Sequence, residues 1–266
     1  MNASACQIPF AHSTHSGTER AHNEDACGSL VESPTRVLVA VADGVSGAQG
    51  GEVASRTAID VILRTFHLSP SKWGVPKRLV RAVQQANIEI YDRALVVTEL
   101  RGMSTTLTAV VVDGGMAYAA HVGDSRLYLV RGDRIMQKTK DHTVSAERRR
   151  LGLLSARGAQ NHPERSTLTR SLGRELIAAV DRIEFPVALG DVLLLCSDGL
   201  YNVLANEDLR TLLAGRTPDA ACQALVDAAN ARGTPDNLTA AVLAATIEAP
   251  ESRPTLRGSL ARLLGR

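Results

Sequence analysis

The sequence predicts an α+β protein built on an antiparallel β-sandwich with α-helices packed outside it. Short β-rich runs between residues 105 and 137 are separated by turn sequences such as Asp113-Gly114-Gly115, which are typical of an antiparallel meander. Amphipathic helical segments come in pairs before and after these runs. This order fits helices outside a sandwich better than a repeating βαβ unit.

The central predicted strand covers residues 37–44, with the sequence VLVAVADG. A short, unbroken apolar run closed by Asp-Gly predicts a strand that is buried on both faces and carries Asp43 at its end. Upstream, residues 8–16 are predicted to form an edge strand and residues 17–25 a polar loop. Downstream, the glycine-rich residues 45–51 are predicted to form a loop that can wrap around a ligand.

Helical spacing of apolar residues predicts two consecutive helices after this loop. The first covers residues 52–66, and the second begins at Pro76, a residue favoured in the first helical turn. Their predicted buried positions are Ala54, Ala58, Ile62, Phe66, Leu79, Val83, Ala86 and Ile90. The later predicted elements are strands 105–112, 116–122, 126–130 and 134–137, a short helix and a mobile excursion within 140–174, strand 192–195, helices 206–213 and 218–231, and strand 238–247.

Composition excludes several classes of protein. The formal net charge is +2 and aromatic residues make up 3% of the chain, so neither charge nor base stacking indicates nucleic acid. No run approaches the roughly 20 apolar residues of a membrane span, and residues 1–17 lack the pattern of a signal peptide. The 4 cysteines are scattered without CxxC spacing, which favours reduced thiols over a disulfide framework. We therefore expect a cytoplasmic protein.

Carboxylates recur where apolar segments meet turns. Residues 192–199 repeat the Asp43 pattern as VLLLCSDG and place Asp198 after a second strand. A carboxylate in such a place is costly unless a cation or a donor meets it. Further acids of the same kind are Glu24, Asp25, Asp124 and Asp236. Oxygen ligands on separate loops are what Mg²⁺ and Mn²⁺ prefer, so the sequence predicts a site for hard divalent ions.

Such a site favours phosphate-ester hydrolysis. Two ions bridged by a carboxylate lower the pKa of a shared water and place it for in-line attack, and they neutralise charge on the phosphoryl oxygens. Arg20, four residues before Glu24, offers the planar guanidinium that grips a phosphate through two hydrogen bonds.

The chain resembles the metal-dependent protein serine/threonine phosphatases, the type 2C family, in their compact bacterial form. The resemblance covers residues 16–244 and lies in eight segments that occur in the family's order. These are RAHNED (20–25), VADG (41–44), GMSTTL (102–107), AHVGDSRLYL (120–129), KDHT (140–143), HPERSTLTRSLG (162–173), LLLCSDGL (193–200) and TPDNLT (234–239). The family fold is an αββα sandwich with helices on both sides of the paired sheets.

The resemblance implies a role for each matching residue. Asp43 matches the carboxylate that bridges two Mn²⁺ or Mg²⁺ ions, and Gly44 contributes its carbonyl to one ion. Glu24 matches a ligand of that ion, Asp198 and Asp236 match ligands of the other, and Asp124 with Asp198 matches a weaker third site. Asp25 and Asn237 are expected behind the ligands. Arg20 matches the phosphate-binding arginine, and we assign Arg20, Asp43 and Asp198 to catalysis.

Two features of the family pattern remain open in this chain. Some members place a histidine after the strand-end Asp-Gly as a general acid for the leaving alkoxide, but here that residue is Val45. We interpret His121, His142 and His162 as structural residues. Residues 145–170 correspond to the flap of bacterial members, and the arginines there could contact an acidic or phosphorylated substrate or form a solvated face.

We expect residues 1–248 to form one catalytic domain and residues 249–266 a basic, flexible tail. The tail is either a frayed terminus or an amphipathic turn that docks on a partner or a membrane surface. The predicted function is hydrolysis of phosphoserine and phosphothreonine by a monomer, with a phosphorylated protein, opposed to a cognate bacterial kinase, as its partner. The alternatives are a catalytically silent phosphoprotein-binding module and a hydrolase of small phosphoesters, because fold alone does not settle function.

Overall fold

A computed structural model describes residues 8–45 and 50–246 of the chain as two antiparallel β-sheets with helices outside them. The first sheet has the strand order β1-β11-β10-β7-β8, and the second has the order β2-β3-β5-β6-β9, with β4 paired to β3. Every strand pairing is antiparallel. The predicted fold class is confirmed.

The described elements follow one another along the chain in this order. They are β1 Phe10–His15, β2 Asp25–Ser33, β3 Arg36–Val45, α1 Gly50–Leu68, α2 Val75–Val96, a 3₁₀ turn Thr98–Leu100, β4 Ser104–Thr105, β5 Leu107–Asp113, β6 Met116–Val122, β7 Arg126–Arg131, β8 Arg134–Gln137, α3 Val144–Arg150, α4 Ala156–Gln160, β9 Asp181–Pro186, β10 Val192–Cys196, α5 Asp198–Tyr201, α6 Asn206–Leu213, α7 Pro218–Ala231 and β11 Leu238–Ala244.

Strand β3 shows how the layers are built. Val37, Val39 and Val41 point into the apolar layer between the two sheets, where residues of β7, β10 and β11 meet them. Its alternate residues, Leu38, Ala40 and Ala42, pack instead against helices α1 and α2. Because side chains alternate between the faces of a strand, a central strand covered on both sides is apolar at every position, as the sequence predicted.

The helices cover the outer faces of both sheets. All the apolar positions predicted for the first helix pair are buried against the second sheet, and helices α6 and α7 bury Leu209, Leu213 and Leu225 against the first sheet. Each helix pair thus shields one sheet from water, and the polar ends of the sandwich remain as the place where a ligand can enter.

Sequence reasoning missed several elements, among them β2, β9, α4 and α5. Strands β2 and β9 border the second sheet and interrupt their apolar residues with polar ones, such as Ser29 in β2 and Glu184 in β9, so neither shows the apolar run used to find strands. Helix α5 has only 4 residues. The excursion contains two short helices and is tied down at Thr143↔Leu168 and Thr105↔Leu172, so it is partly ordered.

The structure also bears on several smaller predictions. Strand β1 is an edge strand, as predicted. Cys27, Cys196 and Cys222 are free thiols. Among the helices of residues 8–45 and 50–246, none has the length and apolarity to cross a bilayer. Four features of the sequence lie outside the described residues. They are the predicted tail, the end of the last predicted strand, Cys6 and most of the glycine-rich loop 45–51.

Candidate metal centre

The centre begins where the layer between the sheets opens to solvent. Asp43 follows Val37, Val39 and Val41 at the alternating positions that face this layer. Asp25 is its direct partner on β2, and directly opposed residues of antiparallel strands point to the same side. Two carboxylates therefore share one face at the mouth of an otherwise apolar layer.

The backbone of Asp43 is held from the neighbouring strands. Its N–H donates to Thr106 Oγ1 at 3.0 Å. Its carbonyl accepts from the Thr106 N–H at 2.9 Å and from Thr105 Oγ1 at 2.8 Å. Among the described residues, none donates a hydrogen bond to the Asp43 carboxylate. The position of Asp43 is thus fixed while its side chain stays free to bind a ligand.

Asp25 joins the two sheets from beneath Asp43. Its Oδ2 accepts from Ser197 Oγ at 2.6 Å and from Thr239 Oγ1 at 2.7 Å, both of which belong to the first-sheet side. Its Oδ1 is buried and has no partner among the described residues. A buried carboxylate oxygen without a donor is costly, and it fits the expected role of holding a metal-bound water.

Gly44 and Gly51 permit a close approach of Glu24. The Gly44 N–H donates to the Glu24 carbonyl at 3.1 Å. A Cβ at Gly44 would lie 2.3 Å from the Gly51 carbonyl oxygen, and a Cβ at Gly51 would lie 2.7 Å from Glu24 Oε1. Only glycine fits at either position, so the Glu24 carboxylate lies against the start of helix α1 with the Gly44 backbone beside it.

Asp198 and Asp124 approach from the first sheet. Asp198 begins helix α5 directly after β10, and its Oδ2 accepts from Asn202 Nδ2 at 3.1 Å. Asp124 is buried in the turn between β6 and β7, and its carbonyl accepts from the Tyr201 hydroxyl at 3.1 Å. Helix α5 thereby positions both acids.

Asn237 fixes the remaining side of the centre. Its Oδ1 accepts from the Glu24 N–H at 2.8 Å, and its Nδ2 donates to the carbonyls of Ser16 and His22 at 3.0 and 2.9 Å. The adjacent Asp236 receives Arg20 Nη2 at 3.1 Å on Oδ2. One amide thus orders the loop that carries both Arg20 and Glu24.

The acids raise one another's pKa. Burial raises the pKa of Asp25 to about 7 and that of Asp198 to about 6, and neighbouring carboxylates add to both shifts. Burial also raises the pKa of Asp43 and of Asp124 well above the usual value, with Asp198 contributing in each case. Burial raises the pKa of Glu24, which Arg20 partly offsets. Negative charges held this close together repel one another, and a cation bound among them would favour their ionised forms.

The donor set fits small divalent ions. All predicted ligands are hard oxygen donors, which Mg²⁺ and Mn²⁺ prefer. No three His, Cys, Asp or Glu residues within 8–45 and 50–246 form a group that could hold an ion by side chains alone. Mg²⁺ is usually held by one or two carboxylates and several waters, so a smaller number of converging side chains is compatible with the predicted site.

Several residues that position the acids were not predicted from the sequence. Thr106, Ser197 and Thr239 hold Asp43 and Asp25, but hydroxyl residues at strand ends look like ordinary turn residues. His142 Nδ1 accepts from the N–H of Gly123, next to Asp124, at 3.0 Å. Burial lowers the pKa of His121 to about 4, which agrees with the structural role predicted for it.

A two-sheet sandwich with helices on both sides and carboxylates gathered at the mouth between its sheets defines the class of metal-dependent phosphohydrolases that the sequence resembled. A model of the protein phosphatase 2C family matches residues 14–242. The chain belongs to this family of metal-dependent protein serine/threonine phosphatases.

Known proteins of the family are similar along most of their length. The chain is 36% identical over 231 residues to the serine/threonine phosphatase stp of Listeria innocua, covering 85% of this chain and 91% of that protein. It superposes with a TM-score of 0.81 on the serine/threonine phosphatase PstP/Ppp of Mycobacterium tuberculosis, at 32% identity, covering 90% of this chain and 99% of the other. The catalytic domain of PstP in complex with two manganese ions gives a TM-score of 0.78 at 30% identity, covering 90% and 98%.

Proposed function

We propose that this chain hydrolyses phosphoserine and phosphothreonine in proteins, with two Mn²⁺ or Mg²⁺ ions held by Glu24, Asp43, Gly44, Asp198 and Asp236. The observation that supports this most directly is the set of acids that face one another at the mouth between the sheets, where burial and mutual repulsion raise their pKa values. When bound, the ions supply an activated water and neutralise phosphoryl charge.

The residues of the chain have distinct roles in this proposal. Asp43 would be a ligand of both ions, since the hydrogen bonds to its backbone fix its position and no described residue donates to its carboxylate. Asp25 orients a water through its unpartnered Oδ1. Arg20 reaches the centre from an exposed loop, where its contact with Asp236 keeps the guanidinium beside the acids. It binds the phosphate there through paired hydrogen bonds.

Asp124 has a separate role on the first-sheet side. Burial raises the pKa of the Asp124 carboxyl most, and Asp198 lies close enough to raise it further, so the two acids together would form a weaker third site. Val45 is an apolar side chain that cannot transfer a proton. Protonation of the leaving oxygen is therefore assigned to water at the centre rather than to a side chain at that position.

The biological setting follows from the same proposal. The substrate is a phosphorylated protein and the counterpart is a serine/threonine kinase. We expect the chain to act as a monomer in the cytoplasm, where the free thiols of Cys27, Cys196 and Cys222 would stay reduced.

Restoring metal to stripped protein tests the proposal. A phosphothreonine peptide and a set of phosphorylated metabolites are offered to protein freed of metal, with Mn²⁺ or Mg²⁺ titrated back. We expect turnover to return with metal and to favour the peptide. Faster hydrolysis of metabolites would favour the small-phosphoester hydrolase. No turnover with either metal in a folded protein would favour the silent binding module.

A further inference from the structure

A polar pocket lies beside the metal centre. It has a volume of about 360 Å³, and its lining includes Val45, Ser104, Ser166, Thr167, Ser171 and Arg174. Val45 is two residues beyond Asp43 on the same strand, and it pairs with Ser104 on β4. The pocket is therefore near enough for a substrate whose phosphate reaches the acids to contact it with a neighbouring residue.

The two walls of the pocket are joined to the strand that carries Asp43. Ser104 Oγ donates to the Val45 carbonyl at 3.2 Å. Thr105, which donates to the Asp43 carbonyl, exchanges backbone hydrogen bonds with Leu172 at 3.1 and 2.8 Å. Ser171 is therefore held at a fixed place relative to the acids, and the pocket is a built feature of the site rather than a gap between loose loops.

Unused hydrogen-bond donors line this pocket. Ser171 is only 8% exposed, and its Oγ has no partner among the described residues. Ser166 and Thr167 are exposed, and their hydroxyls make no hydrogen bond within the described part of the chain. The unpartnered hydroxyl of Ser171 is buried at a cost in free energy, so a ligand towards which Ser171 Oγ can turn and donate is favoured.

The charge of the lining is positive. Arg174 is exposed, forms no ion pair with any described residue, and makes one long hydrogen bond of 3.5 Å to the Leu168 carbonyl. Among residues 8–45 and 50–246, no acidic side chain lines the pocket. Three hydroxyls and one free guanidinium are donors that match an anionic oxygen group, and charge-assisted hydrogen bonds of this kind are about twice as strong as neutral ones.

We infer that this pocket binds an anionic side chain of the substrate that flanks the phosphorylated residue, either a carboxylate or a second phosphate. The inference rests on the proposed phosphatase function and adds a preference for acidic or multiply phosphorylated sequences. Arg174 and Ser171 would determine this specificity, whereas Arg20 and the acids act on the scissile phosphate.

A series of phosphothreonine peptides tests this inference. The peptides share one parent sequence, and Glu, Gln or Lys is placed in turn at each of the three positions before and the three positions after the phosphothreonine. The manganese-loaded full chain is assayed for kcat/KM. Kd is measured in parallel with the same peptides carrying a non-hydrolysable phosphothreonine analogue. We expect one position at which Glu is favoured over Gln by about fivefold, the range of an exposed charge-assisted contact.

Variants assign the preference to the pocket. Arg174→Gln should abolish the discrimination between Glu and Gln, and Arg174→Glu should invert it in favour of Lys. Ser171→Ala should reduce it. Arg81→Gln, an exposed arginine on helix α2, is the matched control and should retain the parent preference.

The two readouts separate failure of the pocket from failure of the proposed function. Equal Kd values for Glu and Gln peptides at every position, or a preference for Glu that survives Arg174→Glu, would overturn the inference even if turnover is normal. A Kd preference that follows Arg174 without any turnover would support the pocket and refute the phosphatase proposal. A further peptide carries a phosphonate analogue of phosphoserine in place of Glu. If it binds more tightly than the Glu peptide, the occupant of the pocket is a second phosphate, and if it binds less tightly, the occupant is a carboxylate.

Discussion

The β2–β3 hairpin carries acids at both of its ends, and their surroundings differ. Near the turn, Glu32 pairs with Arg36 at 2.9 Å and with the buried Arg78, and Arg36 also pairs with Asp113 at 2.9 Å. At the open end, Asp25 lies opposite Asp43, and in the described part of the chain neither forms an ion pair with a lysine or arginine.

The pKa values show the consequence of this difference. Hydrogen bonds from Arg78 and Arg36 lower the pKa of Glu32, whereas burial and neighbouring carboxylates raise the pKa of Asp25 and of Asp43. The acid that stabilises the fold, Glu32, is paired with arginines of the same chain. Acids that come without such partners lower the stability of the metal-free protein, which is what we expect of the proposed metal site.

The largest expected effect comes from removing the bridging carboxylate. Asp43→Asn keeps the shape of the side chain but removes the charge shared by two ions, so we expect kcat/KM to fall by at least about a thousandfold, equivalent to several kcal/mol of lost transition-state stabilisation. Turnover of a phosphothreonine peptide measures this. Asp60→Asn, an exposed acid on helix α1, is the control, and near-parent activity of Asp43→Asn would refute the bridge.

The opposite end of the hairpin should respond in stability and not in catalysis. Arg78 is 3% exposed, donates to the Phe66 carbonyl at 2.8 Å and lies over the Phe66 ring. Arg78→Ala should lower the free energy of unfolding by about 3 kcal/mol, because it removes a buried cation and leaves the half-buried Glu32 with Arg36 alone. Urea denaturation measures this loss.

Arg81→Ala on the same helix is the matched control for Arg78→Ala. Its side chain is exposed, so we expect a change within about 0.5 kcal/mol. An equal loss in both variants, or a selective loss of kcat in folded Arg78→Ala, would break the contrast between the two ends.

Arg20 is the exception among the described residues at the acid-rich end, since it pairs with Asp236 there. Both side chains are substantially exposed, at 54% and 38%, so the pair is weak and the guanidinium is available to a phosphate. Arg20→Ala should raise KM by roughly tenfold, the loss of a charge-assisted contact, with a smaller effect on kcat. An unchanged KM would remove Arg20 from phosphate binding.

The pH dependence of the metal-free protein should have opposite signs at the two ends. The folded pKa of Asp25 is raised from 3.8 to about 7, so the folded state binds more protons than the unfolded state between these values. Stability therefore falls as pH rises through this window. The pKa of Glu32 is lowered from 4.5, so its contribution is present above that value and is lost as pH falls through the folded pKa.

Thermal unfolding of stripped protein between pH 4 and pH 8 measures this balance. We expect the midpoint to drop by a few degrees across the upper part of the range, since about 1 kcal/mol corresponds to about 2–4 °C for a chain of this size. Asp43→Asn should flatten the drop by removing one of the repelling charges. A midpoint that rises steadily to pH 8 in the parent would contradict the account.

Much of this architecture could be predicted because its causes are local. Continuous apolar runs give β3 and β10, and helical periodicity gives α1 and α2 with their buried positions. The Asp-Gly endings of two strands locate Asp43 and Asp198. The assignment of each ligand came from motifs of a known family, since spacing alone leaves every Asp-Gly open to a turn.

What could not be predicted depends on contacts between distant segments. Asn237 holds the Glu24 backbone from 213 positions away, and Ser197 reaches Asp25 from 172 positions away. Strand β2 is recognisable only through its pairing with β3, because Gly28, Ser29 and Glu32 interrupt its apolar pattern. The contrast between the two ends of the hairpin likewise requires knowing that Arg78 of helix α2 reaches Glu32.

Calorimetric titration of Mn²⁺ into stripped protein tests most directly whether the unpaired acids are a metal site. We predict that the parent binds two ions tightly and that binding raises the unfolding temperature by mass action. Asp43→Asn should lose both effects, whereas Asp60→Asn should keep them. A parent that binds no ion, or an Asp43→Asn variant that binds two as tightly as the parent, would contradict this prediction.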